Sequence, residues 1–491
     1  MFVVKFLLDT SNNDKLYLDK ILTCEQKSAN VVVKHCINLL NKLKYDTVYQ
    51  DLLKQRLGTT DKKEIKTLNK QLNEYRYSIG LSLNELQKYA KVQQKKYKNY
   101  ISSQEMQVIV TNIWNGVEKI LFGEGEYLHY KKKGYYDCIS AKSLNNGIRL
   151  TKHNTVIIGK MEIPFIVKDY DEYAKFALKN RTIKYARLKR LYFNNGYKYY
   201  VEFVFDGVPM LKHSKGKGDC GLDVGVSSLA MVSDNKCMLE DLAPKIDEYN
   251  KQIINYQKQL ERSKKVNNPN CYDENGKIIK GSKFKRTKNY FKILYKLKTL
   301  YRKRKCYVSE YHNMLCNKII EHCDHIYIEP VNFKALQKRV KTLARQQKQS
   351  VITQKDGSKK LVHKYKRKKR FGKSLNNKSP SSFITTLKQK CNFYEIEVTE
   401  IDTTNFKASQ YNHETDTYIK KELKDRWNII NGEYIQRDLY SAFLIKNTDQ
   451  TLTHPDRVKC INSFDVFKIL HHKCIEITKA TNHNRLSCFG F

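Results

Sequence analysis

The sequence predicts an α+β chain of several domains. Three observations carry that reading. A long helix-period stretch is enclosed between strand-like segments. The second half alternates short apolar strands with long basic helices. The length, 491 residues, exceeds one ordinary domain and fits two to four. Hydrophobic residues make up 40% of the chain, enough to fill packed cores, which excludes a disordered protein.

Residues 1–9 alternate weakly and read as a strand. From Ser28 to Gly123 the spacing is helical, with apolar residues at helix period over Asn30–Leu43 and a polar, Leu-punctuated stretch over Asp61–Gln93 that lacks Pro. The pattern changes around Gly123 and Gly125. Thr155–Gly159, Ile163–Val167, a run beginning at Tyr185 and Tyr197–Phe205 then read as strands, with Asn194-Asn195-Gly196 as a hairpin turn. The first strand and these later ones form a β-rich domain interrupted near its start by the helical block. Gly207–Gly218 reads as a linker. Asp219–Asn235 reads as a β-hairpin, followed by two long basic helices near 239–265 and 286–322 with a polar loop, Val266–Gly281, between them. A short buried strand, His325–Glu329, comes next. Residues 334–373 hold 16 Lys or Arg and one acid, Asp356. No internal repeat is visible.

Lys and Arg total 92 against 50 Asp and Glu, a formal net charge of +42. Such a charge repels itself in the compact state and becomes tolerable beside a polyanion, for which nucleic acid is the natural choice. A membrane surface fits poorly, because the basic residues recur along most of the chain and no apolar run approaches the ~18 residues of a span. The first residues lack the basic and small-residue signatures of a signal peptide. Thirteen Cys at irregular spacings, none as Cys-X-X-Cys, point to buried thiols in a reduced, cytoplasmic setting.

Three acids stand at the ends of elements. Asp223 lies in Gly221-Leu-Asp-Val-Gly225, followed by the strand-like Ser227–Ser233; together they read as the opening hairpin of an RNase H-like sheet. The flanking glycines are expected to let a phosphate and a metal approach the backbone. Glu329 ends the apolar run Ile326-Tyr-Ile-Glu and precedes Pro330, which stops the strand. Asp438 sits in Gln436-Arg-Asp-Leu-Tyr-Ser-Ala-Phe-Leu444, a helix start with an acid in its first turn. An Asp between glycines is by itself more often a turn residue. The ordered set inside so basic a chain points instead to phosphodiester hydrolysis, in which two divalent cations held by carboxylates activate water and stabilise the leaving oxygen.

These motifs resemble those of the TnpB proteins of bacterial insertion sequences and of their relatives, the type V CRISPR effector nucleases, over roughly residues 180–445. Gly221–Val226 resembles the first RuvC motif, Tyr327–Lys334 the second, Arg437–Ala442 the third, and Tyr199–Phe203 the last strand of the family's wedge barrel. The resemblance implies an RNA-guided DNA endonuclease. Asp223, Glu329 and Asp438 would be its catalytic and metal-binding residues. Its cofactor would be two Mg²⁺ ions, for which Mn²⁺ can substitute, and its partners a guide RNA and a double-stranded DNA target. It also implies a domain plan: 1–12 the first strand of an oligonucleotide-binding-like wedge barrel, 13–123 an inserted helical recognition domain, and 124–215 the rest of the barrel. In the RuvC core, 216–335 is the first part, 336–375 a basic insertion, 376–404 the second part, 405–437 a nuclease lobe, and 438–491 the last helix and tail.

One departure stands out. The family commonly carries a zinc module of two Cys-X-X-Cys pairs before the third motif. Here the equivalent positions are Ala408, Tyr411, Asn428 and Asn431, which supply no thiolate, so no structural zinc is expected and packing around Trp427 should hold the lobe. The basic run Lys364, Lys366, Arg367, Lys368, Lys369 and Arg370, interleaved with Tyr365 and followed by Phe371, reads as a nucleic-acid contact, against the plainer reading of a solvated loop. Arg437 is either a contact to the scissile phosphate or a helix-surface residue. Two His/Cys groups, Cys316-His322-Cys323-His325 and His471-His472-Cys474, fit no standard ligand spacing. Within the resembling family two alternatives stay open: a compact type V effector nuclease, or an RNA-guided DNA-binding repressor that no longer cleaves. A plain basic RNA-binding protein is the reading from another class.

Overall fold

The computed structural model describes residues 1–491 except 133, 145–146, 152, 194–195, 338–344, 354–358, 366–370, 423–424, 482–488 and 491. The chain is a mixed α/β multidomain protein of two units, Met1–Met210 and Leu211–Phe491. The boundary falls in the Gly- and Lys-rich segment that reads as a linker.

In the first unit, Phe2–Leu8 alternates buried and exposed residues, with Phe2, Val4, Phe6 and Leu8 turned inward. It pairs antiparallel with Gly196–Phe205 on one side and Met161–Ile166 on the other. The full sheet runs Cys138–Ser140, Ile183–Phe193, Gly196–Phe205, Phe2–Leu8, Met161–Ile166, Thr155–Ile158, Ile148–Leu150. Its last strand comes back against Ile183–Phe193, so the sheet curls towards a barrel around Phe6, Phe165, Phe203 and Phe205. Of the expected hairpin turn, Asn194 and Asn195 lie outside the described residues; Phe193 pairs directly with Gly196.

Five helices, Asn12–Tyr45, Thr47–Gly58, Lys62–Ser78, Leu83–Lys96 and Ser103–Leu121, come between the first strand and the second. Ser11 and Ser102 start the outer two through capping boxes with Asp14 and Glu105. The stretch Asp61–Gln93 is two helices, not one. Gly80 takes φ +83°, which ends the first helix, and Ser82 caps the second. Val32, Cys36, Leu39, Leu86, Val110 and Val117 are among the residues of the bundle core.

The second unit is built on a five-stranded sheet. Numbered in chain order, its strands are Asp219–Val224, Ser228–Ser233, Cys237–Asp241, His325–Ile328 and Glu397–Glu400, and they lie in the order 3-2-1-4-5. The first three are antiparallel; the last two run parallel to the first. Cys237–Asp241 corrects the sequence reading, which began a helix near 239. The helix starts only at Ile246, after a strand short enough to resemble a helix's apolar face.

Each face of the sheet carries helices. Cys220, Leu222, Val224, Leu229 and Met231 pack on the C-terminal half of Lys288–Ile320 and on Pro380–Tyr394. Ala230, Val232 and Leu239 pack on Arg437–Lys446 and Arg457–Thr481. The N-terminal half of Lys288–Ile320 pairs antiparallel with Ile246–Asn267 through Ile253, Leu260, Leu297 and Leu300. The basic insertion contains two antiparallel strands, Arg345–Thr353 and Lys359–Tyr365, which its charge density obscures in the sequence.

Residues 405–437 form two small hairpins, Tyr411–Asn412 with Thr417–Tyr418 and Trp427–Ile430 with Glu433–Gln436. Their interior is Phe406, Ala408, Tyr411, Ile430 and Ile435, all buried. Trp427 sits only half-buried at the rim, donating from Nε1 to the Gly490 carbonyl at 2.9 Å. Polar ties complete the lobe. Tyr411 donates to Asp416 at 2.8 Å, Lys421 to Asn428 Oδ1 at 2.6 Å, and the Asn431 amide to Glu414 at 2.8 Å.

Among the described glycines, Gly221 lies closest to its neighbours. A Cβ there would stand 2.0 Å from the Ala442 carbonyl oxygen and 2.4 Å from the Lys446 nitrogen, both backbone atoms that no rotamer change can move. Gly221→Ala is expected to lower the melting temperature of the protein by about 5 °C or more. Gly225→Ala meets nothing closer than the Ser228 hydroxyl oxygen at 3.0 Å and should cost clearly less. Thermal unfolding of both variants checks this, and equal effects would refute the role assigned to Gly221.

Candidate active site

The strand register brings the first two acids level. Leu222 pairs with Ile328 in the parallel ladder, so the next residues along, Asp223 and Glu329, lie side by side at the C-terminal ends of adjacent strands. The third acid comes from the helix laid across this face. Gly221 and Asp223, two apart, point to the same side of the strand, and Gly221 touches the helix backbone at Ala442 and Lys446. Asp438 is one helical turn before Ala442, a step of about 6 Å that matches two residues of strand. The helix start is held by Gln436, whose Oε1 accepts from the Leu439 amide at 2.8 Å. The Gln436 amide in turn donates to His471 Nε2 at 3.0 Å.

The electrostatics agree with this convergence. The Asp223 carboxyl is pushed well above the usual carboxylate range, first by burial, then by the charges of Asp438 and Glu329, with Arg437 opposing. Burial also raises Glu329. Asp438 is buried and faces cations: Arg437 approaches its Oδ1 at 3.4 Å and Arg426 its Oδ2 at 3.8 Å. Among the described residues, no three His, Cys, Asp or Glu side chains converge closely enough, as they stand, to ligate one ion. The three acids share a site without forming a closed ligand cage.

The glycine reading needs correcting. Gly221 admits a helix, not a ligand. Arg437 is neither a free surface residue nor isolated: besides Asp438 it donates to the Asp425 carbonyl at 3.1 Å. Arg426 was not visible as a site residue in the sequence. Its signal is the hairpin register, which pairs Trp427 with Gln436 and so sets Arg426 beside Arg437. Gly490, at φ +89° against the Arg426 side chain, backs this arginine. Of the basic run, Lys366, Arg367, Lys368, Lys369 and Arg370 lie outside the described residues. Lys364 falls in the strand Lys359–Tyr365, with its side chain outside them. Cys316 and Cys323 are core thiols, and His325 is engaged by Thr399 and Asp219. His471 serves the Gln436 amide.

Residues 202–340 match the OrfB_IS605 family model, described as a probable transposase. This segment is of the TnpB type. It contains Asp223 and Glu329; Asp438 lies beyond it. Among solved structures, the chain is similar to that of a Cas12f1–sgRNA–target DNA complex. That match covers 88% of this chain and 82% of that one, at 12% identity and a TM-score of 0.39. It is also similar to a CRISPR-Cas12f ternary complex, over 91% and 99% of the two chains, at 13% identity and a TM-score of 0.24. No curated protein matches. Among the described residues, no helix is long and apolar enough to cross a membrane.

Two predictions follow from the protonation states. The raised Asp223 pKa means that the folded state holds a proton which the unfolded state releases near its ordinary value of 3.8. Stability therefore falls as pH rises above that value. Asp223→Asn removes the cost. In metal-free buffer at pH 8 it should melt about 2–4 °C above the parent, the gap narrowing towards pH 4; a variant that melts lower at pH 8 contradicts this. His471 works in the opposite sense. Burial lowers it from 6.5 to about 4, so the unfolded chain takes up a proton first as pH falls. Stability should drop between about pH 6.5 and 4, by at most about 3 kcal/mol. His471→Leu should lose that pH dependence in denaturant titrations.

Proposed function

We propose that the chain is a transposon-associated, RNA-guided DNA endonuclease whose second unit is an RNase H-like, RuvC-type core. The observation that carries this reading is the meeting of Asp223, Glu329 and Asp438, from two adjacent parallel strand ends and a helix start, where two of the acids raise the pKa of the third. The 3-2-1-4-5 sheet, antiparallel in its first three strands and parallel in its last two, supports the RNase H-like assignment. The TnpB-type segment over 202–340 supports the transposon association.

The donor set is hard oxygen at high local negative charge, which suits Mg²⁺ or Mn²⁺. Asp223, whose carboxyl feels both of the others, would hold two ions in common, with Glu329 and Asp438 completing one position each. When bound, such ions supply a water nucleophile and charge stabilisation at the leaving oxygen. The chain's own residues do the rest. Arg437 and Arg426 hold the Asp438 carboxylate in place and keep positive charge beside the position where a phosphate would enter. The net charge of +42 provides sequence-independent affinity for guide RNA and target DNA, with base pairing reading the sequence.

The test is cleavage of a guide-matched double-stranded DNA in Mg²⁺, beside filter binding in the same buffer. Asp223→Ala, Glu329→Gln and Asp438→Asn should each reduce turnover by about a hundredfold or more while leaving binding within a few-fold. Their combinations should cost little beyond the singles. Wild-type protein that binds its guided target but cuts in no divalent metal would make it a repressor. Normal cutting by all three variants would overturn the RuvC assignment.

A further inference from the structure

We propose that the segment Tyr127–Lys132, pinned across the helices Asn12–Tyr45 and Ser103–Leu121, is a binding site for an unpaired nucleotide strand. The Tyr127 and Tyr130 rings would stack on its bases, and Lys131 and Lys132 would meet its phosphates. The inference rests on the reading of the protein as a nucleic-acid enzyme and adds a site in the first unit, apart from the unit that holds the three acids.

The segment follows the helix Ser103–Leu121 and has no regular secondary structure, yet its backbone is fixed at several points. Leu128 packs against the core of the helical bundle and takes the space that Gly116 leaves, since a Cβ there would stand 3.0 Å from the Leu128 Cδ2. Asn30 holds the Lys131 backbone twice, accepting from its amide at 2.7 Å and donating to its carbonyl at 2.9 Å. Gln26 donates to the same carbonyl at 2.5 Å. Beyond the segment, Tyr136 donates to Glu25 at 3.0 Å. Anchors of this kind fix what an irregular stretch presents, and loops held on a rigid scaffold are where binding residues concentrate.

The side chains left outside these anchors are rings and cations. Tyr127 is 73% exposed and Tyr130 52%. Among the described residues, neither has a ring contact, a hydrogen bond or an ionic partner within the chain. Lys131 and Lys132 are exposed, and no acid among the described residues pairs with them. From Tyr127 to Tyr136 the sequence holds four Tyr, three Lys and one His without an acid; Glu124 and Glu126 precede this run. A polyphosphate is drawn to such lysines with release of counterions. An acidic peptide would need only the lysines. The rings need a π-face, and in a duplex the base faces are covered by their neighbours. Single-stranded RNA or DNA offers both groups at once, phosphates to the cations and bases to the rings. Tyr127 also lines a cavity of about 510 Å³, with His129, Lys131 and, from the two helices, Val33, Asn112 and Ile113. That is the size of a small-ligand site. Its apolar residues can cover a base, and the Asn112 carboxamide carries both a donor and an acceptor for a base edge.

The experiment uses the full-length protein, freed of nucleic acid at high salt and kept without divalent metal, so that its outcome does not depend on cleavage. Short single strands of RNA and of DNA, the same strands with abasic sites, and the corresponding duplex are added in turn. Nitration of each tyrosine by tetranitromethane is then followed by peptide mass spectrometry. Tyr127 and Tyr130 should react readily in the free protein. The single strand that occupies the site should protect them about tenfold or more, the duplex and the abasic strands less than about twofold. Which strand protects, RNA or DNA, identifies the source of the unpaired bases. Anisotropy over a range of salt gives a second readout. Tyr127→Ala with Tyr130→Ala should weaken that single strand by about tenfold, leave the duplex within about twofold and keep the salt slope. Tyr127→Phe with Tyr130→Phe should bind as the parent does. Lys131→Gln with Lys132→Gln should instead reduce the salt slope for every ligand. All these side chains are exposed, so each variant should melt as the parent does. The proposal is overturned if both tyrosines stay equally reactive with every ligand. It is also overturned if the double alanine variant binds all ligands as the parent does, or loses duplex and single strand equally. Each of these results leaves the nuclease reading standing, because a guided cleavage assay tests that separately.

Discussion

The approach of one helix to one strand governs the second unit. Arg437–Lys446 lies so close to Asp219–Val224 that only a hydrogen fits between the Gly221 Cα and the helix backbone. This contact fixes the helix along its axis, because a slide of one residue would bring a different part of the helix surface over Gly221. Asp438 is thereby held one turn from the contact, on the level of Asp223. The remaining packing of that face, from Ala230, Val232, Leu439, Ala442 and Phe443, follows from the same approach. Shape, not charge, brings the acids together. Their mutual repulsion and their burial work against the arrangement, as the raised Asp223 shows.

That repulsion is stored where the surrounding structure over-determines it. Arg426 and Arg437 offset part of it at Asp438. Both arginines hang on the small hairpin Trp427–Gln436, so the rigidity of this lobe matters to the site. Buried Tyr411, Ile430 and Ile435 and the ties through Asp416, Glu414 and Lys421 hold this lobe together. Gly490 lies against Arg426 and accepts from Trp427, and Phe489 is buried in the core beside the lobe.

The basic residues divide by surroundings. Some are structural, such as Lys378, whose ammonium lies buried against Asp241 at 2.7 Å, and Lys446, which meets Asp234 at 2.6 Å. Others are exposed, such as Lys288, Lys292, Lys296, Lys303 and Lys305 in a stretch of helix without acids. A polyanion gains most from charges of the second kind, since their desolvation has not already been compensated within the protein.

The sequence by itself determined the mixed α/β class of the fold and singled out three acids that the structure brings together. Strand and helix periods, the Pro after Glu329 and the acid in the first turn after Gln436 are local signals, and each survives in the structure. The net charge likewise raised the expectation of a polyanionic partner, because charge is additive and needs no geometry. Only the tertiary structure decided what depends on contacts between distant segments. The strand Cys237–Asp241 was lost to a helix because five residues hold too little of either period. Gly221 was read as room for a ligand because a sequence cannot show that Ala442 and Lys446 stand over it. Arg426 was missed because its place beside Arg437 and Asp438 comes from the register of a hairpin.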